Sequence, residues 1–205
     1  MAPVRTVVFD LDGTLVDTAP DLINALNFVL DREGMPPIPL QSARNLIGAG
    51  ARRLIERGLE ADGRAAGVAD IDRMTADFIN HYAAHIADSS RPFEGLEPAL
   101  DELAARGYRF AVCTNKLEWL SKKLLDELGL SGRFSAICGA DTFGVSKPDP
   151  AILQQTVARA GVPVIGVEFG YTDVPMADLK PDRLINHMRE LPAAVRSLAA
   201  HRATT

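Results

Sequence analysis

Two aspartates and a glycine follow directly after an apolar run near the beginning of the chain. Asp10, Asp12 and Gly13 lie in the sequence DLDGT, and residues 4–9 before it read VRTVVF. Two carboxylates that are two residues apart on a turn can point into one small volume. The glycine lets the backbone approach a ligand closely, and successive N–H groups in such a turn can bind an anion. The alternative is that aspartate and glycine only form a turn after a strand.

Polar residues also follow two later apolar runs. Thr114 and Asn115 end the run AVCTN, and Lys147 lies in SKPDP. A hydroxyl and an amide suit phosphate oxygens, although such a pair can also cap a helix, and a single lysine is usually solvated. Because ligands bind beyond the carboxyl ends of strands in an open α/β sheet, we expect these groups to converge with the aspartates at one edge.

The elements that position these residues alternate between helix and strand from about residue 92 onward. Such alternation predicts a parallel sheet with crossover helices, and the run at residues 4–9 provides its first strand. Three helix–strand pairs are predicted, each helix preceding its strand: 97–106 with 108–115, 119–128 with 134–139, and 150–160 with 162–169. A modest helix is expected from about Leu191.

Residues 17–88 differ, because they contain helical periodicity and no strand candidate. The sequence therefore predicts a doubly wound α/β core, formed by residues 1–16 and 89–205, with a helical cap at 17–88 inserted after the first strand. Predicted helices begin near Pro20 and Gln41, cover the sequence RRLIERGL, and extend from about Asp70 to Ile86.

Composition excludes several classes of protein. The chain has 205 residues, 47% of them hydrophobic, a formal charge of −5 and a pI near 5.4. An acidic chain without an aromatic–basic stripe is a poor nucleic-acid binder, and no apolar run is long enough to span a membrane. Two cysteines, Cys113 and Cys138, are too few for a disulfide scaffold and are interpreted as buried strand thiols. This cysteine usage indicates a reducing compartment, so we expect a cytoplasmic protein. No signal peptide is visible.

The sequence resembles the haloacid dehalogenase superfamily and, within it, the phosphoglycolate phosphatases. Three motifs carry most of the resemblance: FDLDGTLVDT at 9–18, VCTNK at 112–116 and GVSKPDP at 144–150. Residues 46–59, 92–96 and 161–175 are also similar to that family. The resemblance implies a phosphoric monoester hydrolase that acts on a small phosphomonoester, with 2-phosphoglycolate as the expected substrate.

Roles for individual residues follow from the resemblance. Asp10 would be the nucleophile that forms an aspartyl-phosphate, and Asp12 would be the general acid and base. Mg²⁺ would be bound by the Asp10 carboxylate and the Asp12 carbonyl. Thr114 and the Asn115 backbone would hold the phosphate, and Lys147 would balance its charge. The dehalogenases of the superfamily lack the second aspartate, so Asp12 favours phosphoryl chemistry over cleavage of a carbon–halogen bond.

The helical insertion would then be a mobile cap that closes over the substrate. Gly50 and Arg52 would face the site, where Arg52 could bind a substrate carboxylate. The alternative is that Arg52 belongs to a solvated helix face.

One motif of the family is not found. The family carries a fourth, GDxxxD-type acidic motif after the lysine motif, whereas here Ala160 and Gly161 lead straight into VPVIGV. One strand–helix unit is therefore predicted to be missing, and residues 162–169 are expected to lie inward, beside the first strand. Glu168 or Asp173 could then replace the missing metal ligand. A monomer of lowered stability or a homodimer is expected, because the loss exposes apolar surface.

Two other functions remain open. The missing motif favours a catalytically impaired or inactive phosphate-binding homologue. A sugar-phosphate phosphatase or phosphomutase of the same superfamily would differ in its cap contacts, and a mutase would release no free phosphate.

Overall fold

The structure is a computed structural model that describes residues 5–43, 46–144, 146–147, 165–169 and 183–201. The strands are β1 (Arg5–Phe9), β2 (Val16–Asp17), β3 (Arg91–Pro92), β4 (Tyr108–Cys113), β5 (Ala136–Cys138), β6 (Ile165–Val167) and β7 (Arg183–Ile185). The α-helices are α1 (Ala19–Arg32), α2 (Leu40–Ala43), α3 (Ala51–Ala61), α4 (Val68–Ala84), α5 (Leu96–Ala105), α6 (Glu118–Glu127) and α7 (Leu191–His201).

A three-stranded parallel sheet positions the polar residues found in the sequence. Its order is β1-β4-β5, with Phe9 opposite Val112 and Cys113 opposite Cys138. Since the three strands run in the same direction, residues that follow Phe9 and Cys113 emerge at one edge. The predicted parallel α/β arrangement is confirmed, and the strand and helix bounds differ from those expected by a few residues.

Aromatic side chains pack together in the core along strands β1 and β4. Phe9 packs edge-on against Phe110 and Phe134, with ring centroids 6.0 Å and 6.4 Å apart. Helix α5 contacts both β4 and α7, so the C-terminal helix contributes to the same core.

None of the helices in the described ranges combines the length and the apolar character that a membrane span requires.

A second, two-stranded parallel sheet pairs β6 with β7, with Ile165 opposite Arg183 and Val167 opposite Ile185. The sequence analysis did not predict β7, which is only three residues long. In the described residues the ladder of β1 is formed with β4, and that of β6 with β7. The expected ladder between residues 162–169 and β1 is therefore not present there. The helix predicted at 150–160 lies outside the described residues.

Helices α1 to α4 occupy the stretch predicted to be helical, and no strand lies between Asp17 and Arg91 in its described part. The sequence analysis missed the short antiparallel ribbon that closes this stretch, in which Val16 pairs with Pro92 and Asp17 with Arg91. The ribbon places the segment that leaves the sheet after β1 beside the segment that leads back towards β4. The stretch is therefore attached to the sheet through two adjacent connections.

A buried carboxylate reinforces this attachment. Asp21, in the first turn of α1, is only 2% exposed. It accepts hydrogen bonds from the backbone N–H groups of Ser89 and Ser90, at 3.0 Å and 2.7 Å, and from the Ser90 hydroxyl at 2.7 Å. The beginning of α1 is thus tied to the segment that leads back into the sheet.

Candidate active site

A cavity of about 290 Å³ lies between helices α3 and α4 and the carboxyl ends of β1 and β4. Its polar floor includes Asp10, Asp12, Thr114, Asn115 and Lys116. The helical side is mainly apolar, with Ile47, Leu54, Phe78 and Ile79 among its residues. A polar floor under an apolar wall, in a cavity of this size, suits a small ligand with one strongly polar end.

Asp10 and Lys147 form an ion pair at the floor of this cavity. The Lys147 Nζ lies 2.8 Å from the Asp10 Oδ1, and the Asp10 side chain is 41% exposed. The backbone N–H of Leu11 donates to the same oxygen at 2.7 Å. The sequence placed these two residues about 140 positions apart but at one sheet edge, and the structure brings them into contact.

Asp12 lies deeper than Asp10, with only 13% of its side chain exposed. Its Oδ1 accepts a hydrogen bond from the Thr18 hydroxyl at 2.8 Å. The Lys116 Nζ lies 3.1 Å from the same oxygen. Each of the two aspartates is therefore paired with its own lysine.

Lys116 is almost fully buried and also contacts the helical stretch. Its Nζ donates to the Tyr82 hydroxyl at 3.1 Å and lies 4.4 Å from the centre of the Tyr82 ring. Burial by itself would lower the pKa of Lys116, but the Asp12 carboxylate and the Tyr82 hydroxyl outweigh it and raise that pKa. Burial likewise raises the pKa of Tyr82 to about 12, against the opposing effect of the Lys116 ammonium.

Thr114 and Asn115 connect three loops at this edge. The Thr114 side chain is buried, and its hydroxyl accepts from the Lys116 backbone N–H at 3.2 Å. The Asn115 Oδ1 accepts from the Lys147 N–H at 2.8 Å, while its Nδ2 donates to the Lys147 carbonyl at 3.2 Å and to the Gly48 carbonyl at 3.1 Å. The Asn115 side chain thus fixes the loop that carries Lys147.

Gly139 allows the loop after β5 to approach the loop after β4. A Cβ at this position would lie 2.3 Å from the Glu118 nitrogen and 2.5 Å from the Lys116 oxygen, both backbone atoms. The Ala140 N–H donates to the Lys116 carbonyl at 3.1 Å. Only glycine permits this approach without moving the loop that contains Thr114, Asn115 and Lys116.

Gly50 and Arg52, predicted to face the site, both line the cavity. Gly50 precedes α3 with a φ of 90°, a backbone conformation that favours glycine. The Arg52 guanidinium is bound by Asp72 and, at 3.3 Å, by Glu56. Arg52 is therefore held by two acidic side chains, and its binding to a substrate remains a hypothesis.

Comparison with known proteins identifies the family. The family described as haloacid dehalogenase-like hydrolase matches residues 7–165. The chain belongs to this family. It is 41% identical to a phosphoglycolate phosphatase of Caulobacter vibrioides, across 92% of this chain and 90% of that protein. It is 40% identical to a phosphoglycolate phosphatase of Agrobacterium fabrum, with 92% and 91% covered.

Solved structures agree with the family assignment. A predicted phosphoglycolate phosphatase from Haemophilus somnus superposes with a TM-score of 0.84 at 25% identity, covering 94% of this chain and 98% of that one. The fold is shared with CbbY from Rhodobacter sphaeroides in complex with phosphate, at a TM-score of 0.73 and 20% identity, with 92% and 96% covered. The expected family and fold class are confirmed.

The alignment with the Caulobacter relative runs over 212 residues, which exceeds the 205 of this chain. The relative therefore has residues inside the aligned region that have no counterpart here. The missing acidic motif stays a prediction.

Of the two candidate replacement ligands, Glu168 and Asp173, the structure describes only Glu168. Glu168 is exposed at the end of β6, where its backbone N–H donates to the Ile185 carbonyl at 3.1 Å, and it does not line the cavity. Asp173 lies outside the described residues. In the described ranges, no three His, Cys, Asp or Glu residues are grouped closely enough to hold a metal ion.

Mg²⁺ is nevertheless compatible with the residues that are present. This ion is commonly bound through one or two carboxylates, together with waters and substrate phosphate oxygens. Asp10 and Asp12 both line the cavity floor, so the Asp10 carboxylate and the Asp12 carbonyl fit such a binding mode.

The sequence analysis overlooked three residues of the site: Thr18, Tyr82 and Lys116. Lys116 belongs to the VCTNK motif but was given no role there. Tyr82 has the helical spacing of a core residue. Only the packing of α4 over the end of β4 shows that both side chains belong to the site.

Proposed function

We propose that this chain is a phosphomonoester hydrolase that works through an aspartyl-phosphate on Asp10. The observation that carries the proposal is the arrangement of Asp10 and Asp12 on the cavity floor, each paired with a lysine from a neighbouring loop. Two carboxylates with matched cations can accept an anionic phosphate without an excess of negative charge. The family assignment and the phosphatase relatives support the same reaction.

In the first step, an oxygen of Asp10 attacks phosphorus and forms an acyl-phosphate bond. The phosphorus–oxygen bond to the alcohol breaks, and Asp12, which enters this step protonated on Oδ2, gives that proton to the departing alkoxide. In the second step, Asp12 removes a proton from a water molecule, which attacks the phosphorus of the aspartyl-phosphate. Inorganic phosphate leaves, Asp10 returns to a carboxylate, and Asp12 is again protonated.

The remaining residues position the phosphate. Lys147, held by Asn115, offsets negative charge beside Asp10, and Thr114 and the Asn115 backbone hold phosphate oxygens. Mg²⁺, bound by the Asp10 carboxylate and the Asp12 carbonyl, would supply further charge neutralisation. Asp173 stays a candidate for an additional ligand, whereas Glu168 does not line the cavity.

We propose 2-phosphoglycolate as the substrate. The support is the name of the relatives and the size of the cavity, which suits a small monoester. The helical stretch would act as the cap that excludes water during the reaction, with Gly50 and Arg52 nearest to the bound substrate.

The test is phosphate release from 2-phosphoglycolate, with and without Mg²⁺, by the wild type and by Asp10→Asn. Asp126→Asn is the matched control, because Asp126 is an exposed aspartate on α6. We expect Mg²⁺-dependent release that is lost in Asp10→Asn and kept in the control. Equal release by the wild type and Asp10→Asn would refute the proposal.

A second candidate is a phosphate-binding protein of the same fold with little turnover. It is favoured by the sequence, in which no GDxxxD-type acidic motif follows Lys147. Titration calorimetry with inorganic phosphate separates the two. Phosphate binding that Asp10→Asn alters, together with no release from a panel of small phosphomonoesters, would favour this candidate.

A further inference from the structure

The Lys116 ammonium lies at the junction of three separate parts of the chain. Its Nζ is 3.1 Å from Asp12 Oδ1, which follows β1, and 3.1 Å from the Tyr82 hydroxyl on α4. Lys116 itself follows β4, and 5% of its side chain is exposed. One buried cation therefore links both sheet loops of the site to the helical wall of the cavity.

This position leaves the ammonium little freedom. A buried charge is costly unless it is paired and hydrogen-bonded, so Lys116 cannot leave its two partners without a large penalty. The face of the Tyr82 ring lies under the same ammonium, at 4.4 Å from the ring centre, and adds a cation–π attraction. Neither partner is a surface group, since Tyr82 is fully buried and Asp12 nearly so.

The arrangement around Lys116 orients the Asp12 carboxylate. Within the described ranges, the Thr18 hydroxyl and the Lys116 ammonium both contact the Asp12 Oδ1. Two donors on one carboxylate oxygen fix the plane of the group and leave Oδ2 for proton transfer. We propose that Lys116 is a positioning residue for Asp12, and that Tyr82 makes this positioning depend on the packing of α4 over the cavity.

This inference rests on the proposed function, because it assumes that Asp12 protonates the leaving group. It predicts a specific pattern of lost activity. An alkoxide leaving group needs the Asp12 proton, whereas the acetate that leaves acetyl phosphate does not. Mispositioned Asp12 should therefore slow cleavage of an alkyl phosphate far more than cleavage of acetyl phosphate.

The experiment measures kcat/KM, which reports the step that forms the aspartyl-phosphate, on 2-phosphoglycolate and on acetyl phosphate. For Lys116→Met we expect a loss of about 100-fold on 2-phosphoglycolate and of less than about 10-fold on acetyl phosphate. Tyr82→Phe removes one hydroxyl and keeps the ring. For this variant we expect a loss of about 5-fold on 2-phosphoglycolate and of less than about 2-fold on acetyl phosphate. Lys123→Met, which alters a half-buried lysine on α6 that does not line the cavity, is the matched control and should change neither value.

Equal losses on the two substrates in Lys116→Met and Tyr82→Phe would overturn the inference, because a purely structural role lowers both rates alike. If Lys116→Met does not fold, the Tyr82→Phe ratio alone decides between the two results. A wild type that releases phosphate from neither substrate would instead refute the proposed function, and the inference with it.

Discussion

The buried carboxylate of Asp21 should be one of the largest single contributors to stability in this chain. Replacement by alanine removes an acceptor that the Ser89 N–H, the Ser90 N–H and the Ser90 hydroxyl share. Ser90 is fully buried, whereas Ser89 is exposed. After the substitution, the Ser89 N–H can bind water, but the two donors of Ser90 cannot.

The expected magnitude follows from these two donors. A buried donor left without an acceptor costs about 1–3 kcal/mol, so Asp21→Ala should lower the free energy of unfolding by about 3–5 kcal/mol. Ser90→Ala removes one donor and leaves Asp21 its two backbone partners, so it should cost about 1–2 kcal/mol. The larger loss in Asp21→Ala reflects the Ser90 N–H and the Ser90 hydroxyl, which are both left buried without an acceptor.

Urea unfolding followed by circular dichroism measures both changes. Asp31→Ala provides a control on the same helix, because Asp31 is exposed, and its effect should stay within about 0.5 kcal/mol. The reasoning would be refuted if Asp21→Ala cost no more than Asp31→Ala. It would also fail if Ser90→Ala were the more damaging of the two substitutions.

Two further predictions concern a close approach and a titrating side chain. Gly139→Ala places a Cβ 2.3 Å from the Glu118 backbone nitrogen and should lower the free energy of unfolding in urea by about 2–3 kcal/mol. In the control Gly132→Ala, the new Cβ has nothing within 4 Å, so the free energy of unfolding should change little. Similar values for the two variants would contradict this. Burial and the neighbouring His85 lower the pKa of His81 in the folded protein. The unfolded chain therefore binds a proton at His81 more readily than the folded protein does, and the free energy of unfolding decreases as the pH falls below the ordinary pKa of histidine. Between about pH 8 and about pH 5, stability should therefore fall less in His81→Gln than in the wild type, and an unchanged slope would rule this out.

Much of the fold was predictable because the sequence patterns are long. The strands around the site are apolar runs bounded by polar turns, and the helices of residues 17–88 have clear periodicity. The β2–β3 ribbon and β7 were not predicted, since two or three residues carry no measurable pattern. Their existence depends on pairing partners that are distant in sequence.

The site was predictable only where residue type and strand position agree. Asp10 and Lys147 could be placed at one edge from topology alone, and they lie in contact. Lys116 and Tyr82 could not, because a buried lysine has the same sequence signature as a solvated one. The double contact of Asn115 with Lys147 is likewise a product of loop geometry, which the sequence does not encode locally.

The most direct test of the central claim is to trap the aspartyl-phosphate. Asp12→Asn removes the group that activates water, while acetyl phosphate can still phosphorylate Asp10 because acetate needs no proton to leave. Intact-protein mass spectrometry of acid-quenched Asp12→Asn should show one added phosphoryl group per chain, and peptide mapping should assign it to Asp10. The double variant with Asp10→Asn should show none. A phosphoryl group that persists in the double variant, or its absence from Asp12→Asn while the wild type releases phosphate from acetyl phosphate, would contradict the account.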